Sequence, residues 1–148
     1  MPSESPEMKH HQKLLEDHQA LKDLLARIER ALQKRDLPIP EVGKLLGELG
    51  DRLVKHFELE EQGGYFAEAL LQAPRLVARA NELLAQHPKM CTQADKLLEL
   101  AGAEENAEGW WQKTRERFLA FKEEVMRHES KEDGLLQEAY QQDIGAND

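Results

Sequence analysis

The strongest constraint on this chain is a periodicity. Through four separate stretches of its 148 residues, apolar side chains recur at alternating steps of three and four, which keeps them on one face of an α-helix. The first stretch reads Leu14, His18, Leu21, Leu25, Ile28 and Leu32, and the second reads Val42, Leu46, Leu49, Leu53, His56 and Glu60. The third reads Leu76, Ala80, Leu83, His87, Met90, Ala94 and Leu97. The fourth reads Trp111, Thr114, Phe118, Phe121, Val125, His128, Glu132, Leu135 and Ala139. Each seam therefore holds one histidine where a leucine is expected, and two hold a glutamate one turn later. Burying so much imidazole and carboxylate is costly unless a cation satisfies it. The pattern predicts a metal-binding helical bundle.

Breakers divide the stretches. Ser5-Pro6 reads as a cap followed by proline at the first helical position, and Leu37-Pro38-Ile39-Pro40 ends one helix and starts the next. Gly63-Gly64 stops the second helix, Pro74 opens the third, and Gly102 to Asn106 separates the third from the fourth. The expected helices are A near 6–35, B near 40–62, C near 74–101 and D near 107–142, with no strand. The reading is all-α, an up-down-up-down bundle forming one domain over residues 1–148.

Registry brings the histidines together. In such a bundle, residues equally far from a turn lie at the same height, since each rises about 1.5 Å per residue. Residue 37, midway between His18 and His56, falls in the proline turn; the midpoint of His56 and His87 falls just before Pro74, and that of His87 and His128 near the start of helix D. A lone seam histidine is usually a hydrogen-bonded core residue, but four in one layer with two glutamates point to ligands. Glu60 and Glu132 each follow a histidine by four residues, about 40° round the helix and one turn along. The His-x-x-x-Glu pairs recur in the two halves of the chain and suggest a site with approximate two-fold symmetry.

Asp17-His18, His56-Phe57-x-x-Glu60-Glu61, Gln86-His87 and His128-Glu129-x-x-Glu132, in that order over nearly the whole chain, resemble the hemerythrin-like, or HHE cation-binding, domain family. The resemblance implies a left-handed four-helix bundle around a non-haem iron site, usually of two ions. Terminal ligands would be His18, His56, His87 and His128, with Glu60 and Glu132 bridging or chelating, and an open position would be left for dioxygen. Two departures stand out. Hemerythrins proper have a second histidine one turn from the first on helix C, where this chain has Leu83 and Cys91. Their fourth-helix carboxylate lies five residues after its histidine, which here is Asp133. The seam favours Glu132, because five residues rotate about 140° off the face. Asp133 and Glu61 are kept as outer partners or exchange candidates.

Other residues are read more plainly. Glu61, Glu129 and Asp133 are expected to be solvated, His10 and His11 to lie in the first turn, and Trp110 and Trp111 to cap the core at the start of helix D. Pro88 should kink helix C, either opening space beside the metals for a small ligand or supplying a carbonyl to it, or merely adjusting packing. Cys91 could ligate softly, though a lone buried cysteine is usually an apolar filler. A formal charge of -9 and no basic stripe argue against nucleic acid. One cysteine excludes an internal disulfide and suits a reducing cytoplasm. The sequence has neither a signal-like apolar run nor a stretch long enough to span a membrane.

Imidazole with carboxylate suits iron, but also zinc, manganese or nickel. Oxygen-activating carboxylate bundles carry Glu-x-x-His pairs, and none occurs here: Leu15, Leu53, Leu84 and Val125 precede the four histidines by three. The favoured function is reversible binding of dioxygen or nitric oxide for sensing, storage or iron handling. The alternatives are an iron-dependent enzyme or repair protein, acting in peroxide reduction or in iron donation to damaged centres, and a bundle whose metal is structural.

Overall fold

The computed structural model describes residues 6–62, 70–71, 73–103 and 106–139, with residues 6–11 described by backbone alone. The elements are α1 (Pro6–Lys34), α2 (Ile39–Gln62), a 3₁₀ turn (Pro74–Leu76) leading into α3 (Val77–Leu84), α4 (His87–Ala103) and α5 (Ala107–Gln137). Among the described residues there is no strand, and no helix is long and apolar enough to cross a membrane. The expected Ser5 cap, the Gly63-Gly64 stop, the end of helix D beyond residue 139 and the side chains of His10 and His11 lie outside the described residues.

Local chemistry sets the visible ends. Asn106, in extended backbone, accepts a hydrogen bond from the Gly109 amide at 3.1 Å and caps α5. At the other end of the molecule's first turn, Arg35 has φ 52°, and its amide donates to the Ala31 carbonyl at 3.0 Å to close α1. Its guanidinium donates to both carboxylate oxygens of Glu108, at 2.8 and 3.1 Å, which ties this turn to the first turn of α5.

Helix C is two pieces. Pro88 has no amide hydrogen to give the Leu84 carbonyl, and the chain turns at Ala85-Gln86 before α4 begins at His87. The Gln86 amide reaches only as far as Leu83, at 3.1 Å, which is the tighter spacing of a 3₁₀ turn.

α1 packs on α2 and α5, α4 packs on the same two helices, and α3 lies against α5, so the helices close a ring around a shared interior. The seam faces inward at every expected position but one: Trp111 is only half-buried, and Trp110 takes its place. Four residues rather than three precede Thr114 on this face, and Trp110 Nε1 donates to the Ala101 carbonyl at 2.6 Å, closing the core against α4. The interior has two apolar parts. A larger cluster runs from Leu21 on α1 through Leu53 and Phe57 on α2, Met90 on α4 and Val125 on α5. A smaller one gathers Leu14, Leu76, Leu83, Leu135 and Ala139. Each fully buried leucine contributes about 1.5–3 kcal/mol. The four histidines fall between the two clusters.

Candidate metal centre

His18 on α1, His56 on α2, His87 at the start of α4 and His128 on α5 are each no more than 2% exposed. Their rings pair across the bundle, His18 with His56 at 4.7 Å between centroids and His87 with His128 at 5.0 Å. All four use their two nitrogens in opposite senses. Nδ1 points outward and donates to an acceptor: His18 to Asp133 Oδ1 at 2.5 Å, His56 to Asp17, His87 to Glu61 Oε2 at 3.1 Å and His128 to Gln86 Oε1 at 2.8 Å. Nε2 points inward. An outward acceptor on Nδ1 fixes the tautomer and leaves the Nε2 lone pair available, the arrangement typical of metal-binding histidines.

Three fully buried carboxylates meet those inward nitrogens. Glu132 spans both pairs: Oε2 lies 3.2 Å from His87 Nε2 and 3.1 Å from His128 Nε2, while Oε1 lies 3.7 Å from His18 and 3.9 Å from His56. Glu60 is placed similarly, with Oε1 at 3.1 Å from His56 Nε2 and 3.6 Å from His87 Nε2, and Oε2 at 4.0 Å from His18 Nε2. Glu129 serves one pair only, with Oε2 at 2.8 Å from His18 Nε2 and Oε1 at 3.0 Å from His56 Nε2. Phe57 stacks flat on His87, 3.8 Å away with an 8° tilt, and walls the other pair.

The donor set fits a pair of cations. His18, His56, Glu60 and Glu132 offer ligand atoms mutually close enough for one ion, and His87, His128 and Glu132 do so for a second, with Glu132 shared. Moreover, His18 Nε2, His128 Nε2, both oxygens of Glu60 and Oε1 of Glu132 are buried without a hydrogen bond. The short approach of His18 to Glu129 is thus a charge contact without hydrogen-bond alignment. Each such orphaned group costs on the order of 1–3 kcal/mol, more when charged. Lone pairs aimed between oxygens rather than at hydrogens are what a cation would satisfy.

Protons supply the positive charge when no cation does. Burial opposes charging His18, but Asp133, Glu129 and Glu60 outweigh it and push its pKa up to about 11. Burial likewise opposes charge on His56, yet Asp17, Glu129 and Glu132 raise it to about 12. Glu60 is pushed well up by burial and by the charge of Glu132. Glu132 moves well down despite burial, because His128, His56 and His87 all face it. Asp17 is also lowered despite burial, by its bond to His56.

The structure brings His18, His56, Glu60, His87, His128 and Glu132 into one buried layer. Asp133 and Glu61 sit behind His18 and His87 on their outer nitrogens. Glu61 is 46% exposed at its side chain and Asp133 29%. Cys91 is half-buried and belongs to neither donor group. Glu129 corrects the expectation of a solvated residue: its exposure is 0%. A signal was present, since Glu129 and Glu132 are three apart and the buried stripe of a globular helix is wider than a single line. Asp17, Gln86 and Phe57 belong to the sequence motifs, but spacing alone gives them no role. Gln86 stands in the turn before Pro88 and sets its side-chain oxygen on His128 Nδ1.

Comparison with known proteins agrees with this geometry. The family model of the hemerythrin HHE cation-binding domain matches residues 9–87, which include His18, His56, Glu60 and His87. No curated protein and no solved structure gives a match. With more than half of the chain under that family model and a buried histidine–glutamate layer able to hold cations, the chain belongs to the hemerythrin HHE cation-binding domain family.

Proposed function

We propose that this chain is a non-haem iron protein whose layer holds two iron ions and binds dioxygen or a related diatomic molecule such as nitric oxide, for sensing, storage or iron handling in the cytoplasm. The observation that carries the proposal is the division of labour at the four imidazoles, all with Nδ1 satisfied outward and Nε2 turned onto buried carboxylates. His18 and His56 would hold one ion, His87 and His128 the other, with Glu132 and Glu60 between them. Bound iron would supply a redox-active centre with affinity for diatomic ligands.

The protein's own part is positioning and exclusion. Asp133, Asp17, Glu61 and Gln86 hold the rings in one tautomer, while the apolar clusters above and below keep bulk water from the carboxylates. In this reading the helices run up-down-up-down with the left-handed twist the family resemblance implies; the closed ring of helix contacts and the meeting of four histidines at one height support the up-down order.

Anaerobic iron titration followed by optical spectra before dioxygen, after it and after its removal tests the proposal. Two irons per chain and bands that appear and vanish with dioxygen are expected. Repeated turnover with peroxide would assign an enzyme instead, and a silent spectrum would leave the metal a structural role.

A further inference from the structure

The two halves of the centre do not have equal donor sets. Around His18 and His56 stand three carboxylates, Glu60, Glu129 and Glu132; around His87 and His128 stand two, Glu60 and Glu132. Glu129 is fully buried, and the polar contacts described for it are with the Nε2 atoms of His18 and His56. Once His56 Nε2 gives its lone pair to a cation it no longer donates to Glu129, and His18 Nε2 makes only a charge contact with that carboxylate. A buried carboxylate stripped of its donors must then find the positive charge itself. The nearest is the same cation.

The surface depressions beside the centre are unequal in the same direction. A cleft of about 250 Å³ between α4 and α5 is lined by His128 and its partner Gln86, with Lys89, Arg127 and Lys131 against one acid, Glu124. The larger depression of about 450 Å³ over α1 and α2, lined by Asp23, Arg27, Glu48 and Arg52, includes none of the centre's residues.

We infer that Glu129 is a fifth protein donor to the cation held by His18 and His56, so that the open coordination position lies on the cation held by His87 and His128. The ligand is a small anion or diatomic molecule entering from the α4–α5 cleft, whose lysines favour negative charge. This rests on the two-cation reading above.

The test strips the full chain of metal and reloads it anaerobically with cobalt(II), whose visible bands report its donors, and then adds azide. The wild-type chain should take two cobalt ions, and azide should perturb one of them. Glu129→Gln should weaken one binding step by at least about tenfold, the loss that even an outer partner of a ligand typically brings. That step should be the one His18→Ala abolishes. The azide response should survive His18→Ala and disappear in His128→Ala. Unchanged affinities in Glu129→Gln, or an azide response that follows His18, overturn the inference while leaving two cations in place. A wild-type chain that takes no cobalt overturns the two-cation reading and this inference with it. If circular dichroism shows Glu129→Gln unfolded, the azide arms in the two histidine variants still decide.

Discussion

The apolar clusters and the polar layer between them are built from the same helix faces at the same spacing, yet they are stable for opposite reasons. Leu21, Leu25, Leu53 and Val125 leave nothing unsatisfied when they leave water. Beside them, His18 Nε2, His128 Nε2 and the Glu60 oxygens are as deeply buried and lack a hydrogen bond. The core therefore completes itself, while the layer is completed from outside by protons or by metal. Periodicity says which side chains go inside; whether the inside is self-sufficient depends on their chemistry.

That contrast can be broken most forcefully at His56. His56→Ala removes the common partner of Asp17 and Glu129 and leaves both facing a gap. A loss of about 3–5 kcal/mol, typical of breaking a buried pair, is expected in thermal or denaturant unfolding, together with loss of bound metal. Full metal occupancy and an unmoved midpoint would end the assignment. In the apolar part, Leu25→Ala should cost about 2–5 kcal/mol. Its metal stoichiometry, measured by elemental analysis, should stay at the wild-type value, since Leu25 belongs to the apolar cluster and to neither donor group.

Proton dependence sharpens the same comparison. In the metal-free chain, His18 and His56 have folded pKa values of about 11 and 12 against an ordinary 6.5. Groups raised in this way stabilise fully below the unfolded value and lose that contribution as pH climbs towards the folded one. Glu60, also raised, acts in the same direction; Glu132 and Asp17, both lowered, are ionised in folded and unfolded chains alike above about pH 5 and are silent there. Metal-free stability should thus fall between pH 7 and 10, as denaturant midpoints would show. Metal affinity should rise over the same range, since binding must expel those protons. Flat midpoints would show that the imidazoles are neutral in the metal-free state. The smallest effect is expected behind the layer: Gln86→Ala should weaken metal binding by about 10–100-fold while leaving the number of ions unchanged. Competition with a chelator measures it, and an unaltered affinity would mean that His128 needs no outer partner.

Much of this was legible from spacing alone because helix geometry is local. A step of three or four sends a side chain to the same face wherever the helix sits, and so Leu14 to Leu32, Val42 to Glu60 and the four histidines could be placed inside before any contact was known. Trp111 shows the limit. Spacing puts Trp111 on the seam, three residues before Thr114, yet Trp110, four before it, is the one buried, because its indole donates to Ala101 on another helix.

By itself, then, the order of residues determined four amphipathic helices, the height at which their histidines meet and the presence of Glu60 and Glu132 beside them. Tertiary structure alone decided that Glu129 turns inward and that Asp17, Asp133, Glu61 and Gln86 back the four rings. These are contacts between residues up to 115 apart in the chain. They depend on how helices rotate against one another, and a helix period carries no information about that rotation.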